Sequence, residues 1–371
     1  MSPEALARWW VYLDIDAFYV SCELREHPDL RGRTVIVGPS PRNGPSRGVV
    51  LSASYEARAF GVRSAQPVGQ ADRLCPDAVW IPPDFEKYGR ISRDVFTLLQ
   101  RFSNGVFPNS IDEAALEFPA ASVDEIRGQA ASIQTALRSE LDLPSSLGIA
   151  PYRIVAKIAC DRAKPGGIVV VERDRIAEFL APLSVRAIPG VGPKMEKILH
   201  DHNIGTIGEL ARRPAQELAG FLGGWANELS ALAKGVPIES PAELGGPRSR
   251  STDHTFARDV EAWPEIAPTI RAMAEGLANS LEREGLRYAT VGIAFRWSDF
   301  TRSQRSRSLG AAREGVAPLA ERALRLAREL WDAEQTLRRR PVRTVSVRVE
   351  RLTERTRRQS SLDDYPPGLR A

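Results

Sequence analysis

The chain has 371 residues, 43% hydrophobic and 26% charged, which suits a water-soluble protein of more than one domain at the usual ~100–200 residues each. No run between charged residues exceeds ten, well short of the ~20 apolar residues a membrane-spanning helix needs, and the first eight residues lack the basic and apolar regions of a secretory signal. The formal charge of +4 is uneven: residues 1–247 carry 27 basic and 30 acidic groups, whereas 248–358 carry 23 and 15.

Every basic residue of that second segment is arginine, against six lysines in the whole chain. Genomic base composition accounts for an Arg/Lys ratio, but not for segregation of charge along the chain. A domain of net positive charge is the electrostatic footprint of a nucleic-acid binder. Cys22, Cys75 and Cys160 are odd in number and far apart, which fits reduced thiols rather than a disulfide framework or a C-x-x-C metal site.

In chain order, residues 9–20 read as a β-prone run containing Asp14 and Asp16. Residues two apart in a strand share a face, so this spacing predicts that both carboxylates point the same way. Strands are also predicted over 34–38 and 48–52, the latter leading into a helix over 53–60 that stops at Gly61. Apolar residues at helical spacing mark 83–102 and 123–141, and strands are predicted at 110–118 and 146–150. Such mixing indicates an α/β or α+β arrangement in the first 170 residues. Beyond Ile176 come short helices punctuated by glycine, then a Pro/Gly/Glu-rich linker from Pro237 to Pro247. The last segment alternates helix (262–284), strand (289–297), helix (315–334) and strand (343–350), as a compact α+β domain does.

Asp14, Asp16, Asp112 and Glu113 lie within or beside apolar strands, where an unpaired carboxylate is costly. One compensation is Mg²⁺, which prefers oxygen ligands and keeps substrate phosphates in its shell; another is turn capping or pairing with arginine. Adjacent residues of a regular strand face opposite ways, so a site shared by Asp112 and Glu113 requires an irregular strand start, which Asn109-Ser110 favours. Tyr55 and Arg58 share a helix face and offer phosphate donors, Lys164 adds a point charge on a loop, and the glycines of Ile188-Pro-Gly-Val-Gly-Pro-Lys194 allow backbone N–H groups close to a phosphate. Each of these also has an ordinary structural reading as surface or turn.

Five motifs occur in order: Leu13-Asp-Ile-Asp-Ala-Phe-Tyr19, Ala53-Ser-Tyr-Glu-Ala-Arg-Ala-Phe-Gly-Val-Arg-Ser64, Ser110-Ile-Asp-Glu-Ala114, Gly148-Ile-Ala150 with Ala156-Lys-Ile-Ala159 and Ala163-Lys-Pro-Gly166, and Ile188-Pro-Gly-Val-Gly192. Together they resemble the Y-family DNA polymerases, most closely the DinB-like DNA polymerase IV group. The resemblance implies an α+β multidomain right hand. Its parts are a palm (1–18 and 83–172), fingers (19–82), a helix-hairpin-helix-type thumb (173–240), a linker (241–248), an α+β little finger (249–352) and a C-terminal tail (353–371).

It further implies two Mg²⁺ ions on the catalytic carboxylates Asp14, Asp112 and Glu113 and the carbonyl of Ile15, with Asp16 structural, against the same-face expectation. Tyr55, Arg58 and Lys164 are expected to hold the dNTP triphosphate, and Tyr19 to act as a steric gate against a 2′-hydroxyl. Gly190, Gly192, Lys194, Arg248 and Arg250 are expected on the DNA. The implied activity is template-directed, low-fidelity translesion extension of a primer on primer-template DNA, without proofreading, by a cytoplasmic monomer. Two rivals stand beside it: an inactive DNA-binding scaffold of the same family, and a palm-type transferase or cyclase acting on free nucleotides, which would need neither the glycine-turn thumb nor the positively charged C-terminal segment. Two departures stand out. Pro151-Tyr152-Arg153 replaces the family's Asn or Ser followed by Lys, and Gln359–Leu362 matches a sliding-clamp peptide in its glutamine and leucine while Asp363 replaces the expected aromatic.

Overall fold

Seven residues, Trp9–Ile15, form β1, the central strand of the first half of the chain. The computed structural model describes residues 8–43, 47–236, 249–338 and 340–354, which fall into two compact units, Met1–Ala242 and Glu243–Ala371. After β1 come α1 (Phe18–Glu26), β2 (Val35–Val37), β3 (Ser52–Ala53), α2 (Tyr55–Ala59), α3 (Val68–Leu74), β4 (Val79–Ile81) and α4 (Phe85–Leu99). They are followed by β5 (Gly105–Pro108), β6 (Glu113–Phe118), α5 (Val123–Leu141), β7 (Ser145–Ala150), α6 (Arg153–Ala163) and β8 (Ile168–Val170). Among the described residues, five short α-helices follow: α7 (Ile176–Leu180), α8 (Pro193–Asp201), α9 (Ile207–Ala211), α10 (Ala215–Leu222) and α11 (Ala226–Ala233).

The main sheet has the order β5-β6-β1-β7-β8. Its two faces are sorted by the period of two along β1. Val11, Leu13 and Ile15 pack with apolar residues of α4 and α5, whereas Trp10 and Tyr12 pack with α6 and the short helices beyond it. Ser122 caps α5 with a full capping box, its hydroxyl accepting from Glu125 N–H while the Glu125 carboxylate accepts from Ser122 N–H, which explains why the helix begins at Val123. A β-carbon at Gly148 would lie 2.1 Å from the Ala156 carbonyl oxygen and the Cys160 nitrogen, so only glycine lets α6 lie this close to β7.

The small sheet β3-β2-β4 with α2 and α3 encloses its own cluster around Ile36, Ala53, Ala57 and Val62. The strand expected over 48–52 shrinks to β3, because the backbone of Gly48 and Val50 bonds to the 65–68 loop instead of to a neighbouring strand. Cys22, Cys75 and Cys160 are buried, free thiols.

The second unit contains β9 (Ser249–Val260), α12 (Trp263–Arg283), β10 (Leu286–Trp297), β11 (Arg302–Arg313), α13 (Val316–Arg338), β12 (Val342–Glu350) and β13 (Thr353–Glu354). Its antiparallel sheet runs β11-β10-β12-β9, and Val291, Ile293, Phe295, Val345 and Val347 pack under α12 and α13. The opposite face carries small and polar side chains, among them Ser306 beside Gly292, Gln304 beside Ala294, and Ser346 beside Asp253. Strands β9 and β11 escape the sequence reading because, at the sheet edges, they lack an alternating apolar face. No helix among the described residues is long and apolar enough to cross a membrane.

Candidate active site

Asp14 sits near the C-terminal end of β1, directly opposite Glu113 in the β1–β6 register, so the two side chains share the α6 face with Tyr12. Asp112 lies just before β6 begins, which frees it from strand alternation; its carbonyl accepts from Ile15 N–H at 3.0 Å and its carboxylate from the Ser110 hydroxyl at 2.5 Å. The turn is anchored from behind by Ser92, whose hydroxyl donates to the Ile111 carbonyl at 2.6 Å. The irregular strand start that the sequence requires for a shared Asp112–Glu113 site is therefore present.

Asp14 is 4% exposed, and its charge is met by ammonium groups. Lys164 Nζ donates to Asp14 at 2.5 Å, and Lys157 Nζ donates to Glu113 at 2.6 Å while lying 3.8 Å from Asp14. Tyr12 donates to the other Glu113 oxygen at 2.8 Å. Burial, then the adjoining Glu113 carboxylate, push Asp14 up to about 7. Burial also presses on Glu113, but hydrogen bonds from Asp14, Lys157 and Tyr12 outweigh it and hold that carboxyl down at about 2. The pair thus titrates as a unit, with the shared proton on the Asp14 side. Burial raises Asp112 as well.

Asp16 lies in the turn after β1 and does not join this group. It accepts from Ser146 at 2.9 Å, from Gly166 N–H at 2.8 Å and from Tyr55 at 3.0 Å, a set that ties three segments together. The same-face expectation for Asp14 and Asp16 fails because β1 ends at Ile15.

Tyr55 and Arg58 do meet: the guanidinium lies 4.8 Å from the Tyr55 ring centroid, and Arg58 Nε donates to the Ala53 carbonyl at 3.0 Å. Lys164 caps the end of α6 and is engaged with Asp14. Tyr19, on α1, is half-buried against Tyr88 and Phe85, at 4.9 and 6.5 Å between ring centroids. Burial, then the Asp112 charge, raise its phenol above the usual value.

Lys157 and Tyr12 belong to this cluster, although sequence reasoning left both without a role. The available signals were Tyr12 at two residues from Asp14 on one strand face, and Lys157 inside the quoted Ala156–Ala159 motif. The departure at 151–153 also finds a structural account. Arg153 donates to the Asn109 side chain at 3.1 Å and lies 6.0 and 5.9 Å from the Trp10 and Phe107 rings, so it ties α6 to the turn that carries Asp112. Tyr152 is buried and accepts from Arg173 at 2.9 Å.

In the glycine turn, Gly190 has a φ of +92° and a β-carbon there would meet the Trp225 ring at 3.0 Å. Gly192 caps α8, whose first turn contains the exposed Lys194. In the second unit, Arg250 donates to Glu284 at 2.6 Å. Arg248 and the Gln359–Leu362 peptide lie outside the described residues.

Comparison with known proteins gives a consistent likeness. The model of the impB/mucB/samB family matches residues 13–161, that of its C-terminal domain 247–362, and the IMS family HHH motif 173–204. A DNA polymerase IV of Methanoculleus marisnigri is 37% identical over 361 residues, covering 96% of this chain and 97% of its own. Among solved structures, a Y-family DNA polymerase chimera aligns with a TM-score of 0.80 at 22% identity, over 92% of this chain and 98% of its own. The insertion ternary complex of Dbh DNA polymerase aligns at 0.63 and 22% identity, over 93% and 99%. At that identity the structural likeness carries the fold, which is of the Y-family type with mixed helix and sheet.

Proposed function

The chain belongs to the impB/mucB/samB family, the Y-family polymerases of the DNA polymerase IV kind, and from that premise we propose how its residues divide the work. It is a DNA-directed DNA polymerase of the translesion type, a nucleotidyltransferase that depends on a divalent metal. The rival readings, a scaffold and a transferase on free nucleotides, are not favoured by this membership.

We assign two Mg²⁺ ions to Asp14, Asp112, Glu113 and the Ile15 carbonyl. The donor chemistry fits: all are hard oxygen ligands, and ammonium groups already stand against two of the carboxylates as stand-in cations. When bound, such ions polarise the attacking primer 3′-hydroxyl and stabilise the departing pyrophosphate. Asp14 and Glu113 hold their places by strand register, and Asp112 by the Ser110 turn. Lys157 and Lys164 keep the buried charges compensated, and Lys164 then turns with Tyr55 and Arg58 to the triphosphate of the incoming dNTP. The Tyr19 ring closes the space where a ribose 2′-hydroxyl would project. Gly190, Gly192, Lys194, Arg248 and Arg250 are assigned to the DNA backbone, whose contacts position the duplex without reading its sequence. We assign the right-hand division drawn from the sequence, palm, fingers, thumb and little finger, to the same boundaries.

The observation that carries this reading is the register pairing of Asp14 with Glu113, beside Asp112 at an irregular strand start. Primer extension with Mg²⁺ tests it. Asp112→Ala is expected to abolish extension while leaving primer-template binding nearly intact, and retained activity removes Asp112 from the metal site.

A further inference from the structure

A cavity of about 500 Å³ in the second unit lies between the start of β10, the end of β11 and the first turns of α13. At its wall Tyr288 is 1% exposed, yet its hydroxyl has no hydrogen-bond partner among the described residues. A buried hydroxyl left unmet is rare in folded proteins and points to a group that completes it. Around the same space stand Arg287, Arg313, Arg322 and Arg325, against Glu314 and Glu321. Arg287 Nε is 3.5 Å from Glu314, whereas Arg313, Arg322 and Arg325 have no ion pair among the described residues.

The donors converge from three elements. β10 supplies Tyr288 and Arg287, β11 supplies Arg313, and α13 supplies Arg322 and Arg325. Burial raises the Tyr288 phenol, and the charges of Arg322 and Arg313, which line the same cavity, act on it in the opposite direction. Guanidinium forks match the oxygen spacing of phosphate, and a hydroxyl donor completes the shell of a tetrahedral oxyanion. The four arginines outweigh the two glutamates by two positive charges, which suits a phosphate group.

We propose that this cavity is a phosphate site, separate from the nucleotide and metal residues, that takes either one phosphodiester of a nucleic-acid strand or one free phosphate. Full-length wild-type protein and R322Q/R325Q are compared in two titrations. Fluorescence anisotropy with labelled primer-template over a salt series gives the slope of log K against log[salt]. A phosphodiester occupant makes the slope of the double variant shallower by about 0.9, the contribution of one neutralised phosphate. Calorimetric titration with inorganic phosphate reads the other source: a free-anion occupant removes one binding site from the double variant and leaves the DNA slope unchanged. Tyr288→Phe keeps the ring in the core and weakens whichever occupancy is found by about tenfold, the loss of one charge-assisted hydrogen bond. Both altered proteins insert nucleotides at the wild-type rate at saturating primer-template, so the outcome does not depend on the polymerase reading. An unchanged salt slope together with unchanged phosphate stoichiometry overturns the proposal.

Discussion

Asp14→Asn removes one buried negative charge while keeping nearly the same shape, and its effect on stability can be worked out. The rise of the Asp14 carboxyl from 3.8 to about 7 means that its ionisation in the folded chain costs about 4 kcal/mol more than in the unfolded chain, with the attraction of Lys164 already included. The introduced carboxamide gives back part of that gain, because one of its N–H groups is left poorly paired in a buried place, at about 1–3 kcal/mol. The net expectation is a stabilisation of about 2 kcal/mol in metal-free buffer at pH 8, which for a unit of this size raises Tm by about 4–8 °C. The sign with pH follows from linkage. A carboxyl raised in the folded state contributes fully to stability below its unfolded value near 3.8 and loses that contribution as pH rises through about 7. Because Asp14 and Glu113 share this proton, the ionisation that Asp14→Asn removes is the pair's second one, the step that falls within this window. Thermal melts of wild type and Asp14→Asn with chelator, from pH 5 to pH 8, should therefore show the variant gaining on the wild type as pH rises, while extension is lost. A variant less stable than wild type at pH 8, or a gap that does not widen with pH, refutes the reasoning.

Two other substitutions test separate parts of the site. Arg153→Ala removes one hydrogen bond worth about 1 kcal/mol and two long cation–π contacts of about 0.5 kcal/mol each, while relieving a cation at the start of α6 of about 0.5 kcal/mol. It should lower Tm by about 3–6 °C and slow single-nucleotide insertion, with Arg153→Lys recovering part of both; a wild-type melt and rate would remove Arg153 from any positioning role. Tyr19→Ala is expected to raise ribonucleotide incorporation relative to dNTP by about tenfold or more, equivalent to ~1.4 kcal/mol of lost discrimination. Competition between rNTP and dNTP in single-turnover insertion reads this directly, and an unchanged ratio counts against the gate.

Short-range patterning makes much of this molecule legible in its sequence. The strand that begins at Trp9, the helix over 123–141 and the helix–strand alternation of the last hundred residues follow from periods of two and 3.6, whereas the end of the first strand at Ile15 does not. The carboxylates Asp14, Asp112 and Glu113 stand out because charge beside apolar strands demands compensation, and the segregation of arginine is a matter of counting. Tertiary structure decides what pairs with what. Register brings Glu113 opposite Asp14 across 99 residues, and it is the close packing of α6 on Gly148 that places Lys157 between them. Asp16 turns to Ser146, Tyr55 and Gly166, partners that no spacing announces. The arginines of the second unit divide in the same way. Arg250 and Arg305 are taken up by Glu284 and Glu329, whereas Arg313, Arg322 and Arg325 surround an unmet tyrosine hydroxyl. Composition predicts a positive domain, but the partner of each charge depends on which strands and helices meet, a long-range matter that local sequence does not encode.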